Sequence, residues 1–183
     1  DISILELNGK LFKVVATHGD TRLGGDDIDR VLVTLFTQSL LDQYPNLDLE
    51  DPSSRQILRK TAEEVKIALS GSMEVEYILE LPEKRIKHRG QLKADELSRQ
   101  IEPLLKRTFD SCAKALSDAG LKHGDIDEVV LVGGSTLVPA VRKGVESFFG
   151  RTPHVAIDPY KVVAIGAAIQ GHLLAGGRRD FLL

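Results

Sequence analysis

Apolar residues recur along this chain in two rhythms, and the switch between them divides it into elements. At the start, the apolar runs 2–7 and 11–16 flank Asn8-Gly9, a pair that tolerates the positive φ angles of a tight I′ turn and so predicts a β-hairpin. A sheet of two strands is marginal alone. The best later partner is Glu128-Val129-Val130-Leu131-Val132, so the expected sheet joins the two ends of the sequence. Between them the period changes. Ile28, Val31, Leu32, Leu35, Phe36 and Leu40 predict one helix, and Ile57, Leu58, Ala62, Val65 and Leu69 a second. Asp51-Pro52 supplies the second with a cap and a first-turn proline. Val75, Tyr77 and Leu79 then alternate with Glu74, Glu76 and Glu80 and lead through Leu81-Pro82-Glu83 to a polar strand around Arg85 to Lys87. That is a second hairpin, with one acidic arm and one basic arm.

A long helix is expected through Leu97, Ile101, Leu104, Leu105, Phe109, Cys112 and Leu116, bent at Pro103 and stopped at Gly120. The last third reads as a strand, a Gly-Gly turn, a helix with Pro139 near its first turn and Gly150 as its stop, and another helix from Asp158-Pro159. The opening Asp1-Ile2-Ser3-Ile4-Leu5, with no initiator Met, reads as the middle of a strand cut from a larger protein. The organisation is an α/β body built from both ends, with a mostly helical excursion and hairpin inserted between about Gly24 and Pro103. Discontinuous subdomains of this kind commonly enclose a cleft.

Composition narrows the function classes. The 183 residues carry 24 Lys plus Arg against 27 Asp plus Glu, a net charge of -3, which excludes a nucleic-acid binder held by phosphate charge alone. With 42% hydrophobic and 28% charged residues, a packed core rather than disorder is expected. The single cysteine, Cys112, forbids an internal disulfide and any Cys-based zinc cage, as suits a reducing compartment. Val162 to Ile169, the longest apolar stretch, is too short and too rich in Ala and Gly to span a bilayer. A soluble, cytoplasmic chain with neither nucleic-acid nor membrane partners is the expectation.

Three places could carry chemistry. In Val130 to Pro139 an apolar strand runs into Gly133-Gly134-Ser135-Thr136 and a helix start. Glycines admit close backbone approach, hydroxyls and free amides donate hydrogen bonds, and a helix N-terminus favours phosphate. The spacing is neither GxGxxG nor the P-loop pattern, so an anion site and a plain Ser/Thr-capped turn both stand. The second place, His18 to Asp29, sets the pair Gly24-Gly25 among carboxylates. It reads either as a phosphate or cation loop or as acidic residues, Asp26, Asp27 and Asp29, complementing a helix dipole. Third, Glu63, Lys66 and Ser70 share one helix face. By spacing alone such a Glu–Lys pair reads as a solvated surface pair. The basic run Lys84 to Arg89 lacks aromatic interleaving and reads as charge pairing across the hairpin. The five histidines show no ligand spacing.

Three stretches in order, GDTRLGGDDID at Gly19 to Asp29, LVGGST at Leu131 to Thr136 and IDPYKVVAIGAAIQG at Ile157 to Gly171, resemble the seventy-kilodalton heat-shock chaperones of the DnaK type. The resemblance covers essentially the whole chain, and VVLVGGSTLVPAVRK is its most specific part. IDPYKVVAIGAAIQ and PLLKRTFDSCAKAL look most like the branch specialised for iron–sulfur cluster assembly. The resemblance implies an α/β lobe of an actin-like ATPase (ribonuclease H-like) with an inserted helical and β-hairpin subdomain. Residues 1–23 and 106–183 would form subdomain IIA and residues 24–105 subdomain IIB, whose swing opens the nucleotide cleft. ATP or ADP would lie against another lobe. Glu63, Lys66 and Ser70 would take the ribose and adenine edge, with Gly133, Gly134 and Ser135 on the opposite side. Gly24 and Gly25 would lie near the phosphates, and Asp1 near Mg2+ and K+. Leu137 and Tyr160 stand where the family commonly has an arginine stacked on adenine and an acidic residue. Implied partners are lobe I and the peptide-binding domain of the same chaperone, a J-domain cochaperone, an exchange factor on IIB and an iron–sulfur scaffold protein.

Overall fold

The structure, a computed structural model, describes residues 1–9, 11–154, 158 and 161–176. Strands β1 (Ile2–Asn8) and β2 (Leu11–His18) form the first hairpin. Asn8 pairs with Leu11, and Gly9, at φ 63, takes the left-handed conformation between them. A bulge after Ile4 shifts the register, pairing Leu5 with Val14, and Ile4 with its partly buried neighbours packs on Ala115 and Leu116.

Helices α1 (Gly25–Gln43) and α2 (Pro52–Leu69) follow. Ile28, Leu32, Phe36 and Leu40 are the buried stripe of α1, at the spacing that predicted it. At the start of α2, the Asp51 carboxylate accepts from the Ser54 amide at 2.8 Å and the Ser54 hydroxyl at 2.7 Å. Strands β3 (Glu74–Leu81) and β4 (Ile86–Lys93) make the second hairpin. Its inner face buries Tyr77, Leu79, Leu81 and Leu92 in the core formed by α1 and α2. Tyr77 packs on Phe36 with ring centroids 4.3 Å apart, and a Cβ on Gly90, its cross-strand partner, would collide with the phenol. On the outer face Lys87 meets Glu80 at 3.2 Å and Lys93 meets Glu74 at 3.8 Å, the charge pairing expected of an acidic and a basic arm. His88 departs from that reading: it is buried between Ser39 and Gln43.

The long helix is broken rather than bent. Helix α3 (Ala94–Gln100) ends at Ile101, and α4 (Glu102–Ala119) restarts with Pro103 in its first turn, because proline has no amide to continue the ladder. Gly120 closes α4 at φ 68. The expected pairing of Glu128 to Val132 with the first hairpin is overturned among the described residues. Val130 instead bridges His154 in parallel. The segment between them holds α5 (Pro139–Phe149), the kind of helical crossover that parallel strands require. Helix α6 (Val162–Leu174) completes the described elements.

Candidate functional site

Gly24-Gly25 opens α1, and the residues that follow divide their work. The Gly24 amide donates to Asp27 Oδ2 at 2.8 Å, and Arg30 donates to Asp27 Oδ1 at 2.8 Å, so Asp27 caps its own helix as the helix-end reading expects. Asp29 does something else. Its Oδ2 accepts from Lys66 Nζ at 2.7 Å, and both side chains are about six-sevenths buried, at 16% and 15% exposure. Lys66 also reaches the Gly25 carbonyl at 3.4 Å, while Asp29 Oδ1 is buried with no hydrogen-bond partner among the described residues.

The face formed by Glu63, Lys66 and Ser70 therefore differs from a solvated ion pair. Lys66 turns inward across 37 positions of sequence to Asp29. Ser70 Oγ folds back on the Lys66 carbonyl at 3.1 Å. Glu63 stays exposed. Gly133, at φ 92, turns the chain into a 3-10 turn over Gly134–Leu137, a conformation that favours glycine. Thr136 Oγ1 donates to the Gly133 carbonyl at 2.6 Å, and Arg142 Nε donates to the Thr136 carbonyl at 3.0 Å, fixing the turn from both ends. Leu137 is half-buried, and Val138 enters the main core.

The turn meets the α1 entry. A Cβ built on Gly25 would lie 3.0 Å from Ser135 Oγ and 3.3 Å from Lys66 Nζ. Gly25, Lys66 and Ser135 thus converge from three distant stretches, and a Cβ at position 25 would press on the tips of both side chains. A hydroxyl, an ammonium, an orphaned carboxylate oxygen and an exposed glutamate one helical turn away form a donor and acceptor set suited to a polyhydroxylated ligand. The sequence reading missed Asp29 as the partner of Lys66, and Thr136 and Arg142 as the braces of the turn; nothing in local spacing signals a contact between positions 29 and 66.

Asp1 lies beside the β2–α1 connection, where a Cβ on Gly19 would strike its carboxylate. Among the described residues no group of three or more His, Cys, Asp or Glu is arranged to hold a metal ion. Tyr160 falls outside the described residues, as do Ile157 and Pro159 of the third family stretch. No helix among the described residues is long and apolar enough to cross a membrane.

Comparison with known proteins gives these features a common setting. A family model described as Hsp70 protein matches residues 1–183. A relative, chaperone protein HscA of Pectobacterium atrosepticum, is 44% identical over 180 residues, and the match spans 98% of this chain but 28% of the relative. Matched from end to end, this α/β chain belongs to the Hsp70 family, whose fold is that of the actin-like ATPases.

Proposed function

We propose that the chain is the C-terminal lobe of the nucleotide-binding domain of an ATP-dependent chaperone. Residues 1–23 and 106–183 form subdomain IIA and residues 24–105 subdomain IIB. Two buried clusters support that division, one around Leu32, Phe36 and Leu79, into which Val138 alone of residues 106–183 is buried, and one around Ile4, Ala115 and Leu116.

The convergence of Gly25, Lys66 and Ser135 carries the nucleotide reading. The set fits an adenosine: Lys66 and Ser135 donate, Glu63 accepts from ribose hydroxyls, Ser70 lies one turn beyond Lys66, and Gly25 keeps the space clear. Gly133 and Gly134 let the nucleoside approach the backbone, Leu137 lies against the base, and Gly24 and Gly25 face the phosphates. In the intact domain Asp1 would contribute a carboxylate near Mg2+ and K+. Bound ATP supplies the phosphoanhydride chemistry, while the residues of this lobe bind and orient it. The likeness to HscA supports a role in maturing iron–sulfur proteins in the cytoplasm, alongside lobe I, a peptide-binding domain, a J-domain cochaperone and an iron–sulfur scaffold protein.

Calorimetric titration of ADP and adenosine, with Glu63→Ala as control, tests this reading. Weak binding of both, lost in the variant, is expected. Binding of neither ligand, both to this chain and to a longer protein containing it, overturns it. Leu137 favours a second reading, because it offers no cation to the base: a lobe kept as a handle for an exchange factor or cochaperone through residues 24–105. In that case the longer protein also fails to bind ADP.

A further inference from the structure

A concave site whose lining includes neither Gly25 nor Ser135 borders α4. A cleft of about 310 Å³ separates residues 18–22, the end of β2 and the start of its connection to α1, from one face of α4. Arg107, Asp110, Ser111 and Lys114 line that face, at the three- and four-residue spacing that stacks side chains on one side of a helix. Asp20 crosses to Arg107 at 2.5 Å and accepts from the Arg22 amide at 3.0 Å, which fixes both walls. The Arg107 hydrogen bond, seconded by the Arg22 amide, holds the Asp20 carboxyl below its ordinary range, so Asp20 is charged at neutral pH.

Two features of the cleft are unspent. Arg22 and Lys114 line it and form no salt bridge among the described residues. Ser111, 6% exposed, has no hydrogen bond for its hydroxyl among the described residues, although Thr34, Ser70, Ser98 and Thr108 each donate to the carbonyl four residues back. Its hydroxyl is therefore free to donate into the solvent-filled space that it lines beside three cations.

We propose that this cleft is a binding site for a carboxylate. Arg22, Arg107 and Lys114 face Asp20 and Asp110, which leaves a surplus of one positive charge. A monoanion neutralises it, whereas a phosphate dianion would leave unpaired negative charge beside two aspartates. Arg107 spends one nitrogen on Asp20 and keeps further donors of its planar fork for a carboxylate. Ser111 donates the remaining hydrogen bond, and Lys114 and Arg22 close the sides.

The test is an NMR titration of the 183-residue chain at constant ionic strength. Its ligands are acetate, acetamide as a neutral twin, inorganic phosphate, and a capped pentapeptide with one central aspartate. Acetate is expected to give saturable shifts at the Arg22, Ser111 and Lys114 amides, with a dissociation constant on the order of 10 mM, and acetamide none. Ser111→Ala and Lys114→Met, neither of which removes a core contact, each weaken acetate by about two- to fivefold. Saturation by the pentapeptide identifies a peptide-borne carboxylate as ligand, and saturation by acetate alone a free one. Shifts that never saturate, an equal response to acetamide, phosphate binding tighter than acetate, or affinity untouched by both variants overturns the proposal.

Discussion

At the scale of the residue, the candidate nucleotide site is a question of what replaces what. Leu137 occupies the position at which the family resemblance implies an arginine over adenine, and it is half-buried in the turn that carries Ser135. An arginine there would add a cation–π contact of about 1 kcal/mol, so Leu137→Arg is expected to tighten ADP by about fivefold in the same calorimetric titration. Unchanged affinity would mean that this side chain does not cover the base. Asp29 is the complementary case. Its removal leaves the Lys66 ammonium largely buried without its counter-ion, the costly half of a broken pair. Asp29→Ala is therefore expected to lower stability by about 2 kcal/mol in urea denaturation, and Asp29→Asn to recover part of that through its retained carbonyl. Equal loss in both variants would show that charge alone carries the contact. Neither residue announced this role in the sequence: Asp29 resembled an ordinary acidic residue in a first helical turn and Lys66 a solvated lysine. The glycines and Ser135 were legible because their chemistry is local.

At the scale of the element, the start of α2 is tied to the second hairpin. Lys84 Nζ donates to Asp51 Oδ2 at 2.6 Å while Asp51 caps Ser54. The Lys84 hydrogen bond comes first and the Ser54 bonds second among the causes that depress the Asp51 carboxyl; the same contact raises Lys84. Because Asp51 is held below its unfolded value, the unfolded chain binds more protons in acid. The stability Asp51 contributes is then present above about pH 4 and lost as pH falls towards the folded value. Asp51→Ala is expected to melt earlier than the wild type at pH 7, with the gap closing in acid; a gap constant from pH 7 to pH 2 would remove the carboxylate from the explanation. Elements set by an internal rhythm were the legible ones. The stripe from Ile28 to Leu40 marked α1, and Asp51-Pro52 marked the start of α2. The basic arm was read too short, because Gly90 and Leu92 keep the strand alternation going beyond Lys87. The pairing of Val130 with His154 was not legible at all, since a parallel partner is chosen by where α5 returns the chain and not by either strand's own pattern.

At the scale of the whole molecule, the candidate nucleotide site is where a late segment of the chain, the turn Gly133 to Leu137, meets the entry of α1. Val138 enters the cluster of α1 and α2, and the turn just before it, Gly133 to Leu137, faces Gly25 and Lys66. On the proposed reading, a nucleoside held there would meet the turn and both helices and so would bias how residues 24–105 stand against the rest. Binding and bias are nevertheless different from turnover. Phosphoryl transfer depends on positioned cations and a positioned nucleophile at the γ-phosphate. The groups gathered here, Lys66, Ser135 and Glu63, are suited to a nucleoside, and no three carboxylate, histidine or cysteine side chains among the described residues could hold a metal. The sequence also lacks the P-loop pattern whose lysine reaches the β and γ phosphates. The 183-residue chain is therefore expected to release phosphate from ATP at the buffer rate, with or without Mg2+, even under conditions in which adenosine binds. Phosphate release that scales with chain concentration and disappears in Lys66→Met would reverse this, because Lys66 would then act on the phosphates and the site would be an active site in its own right.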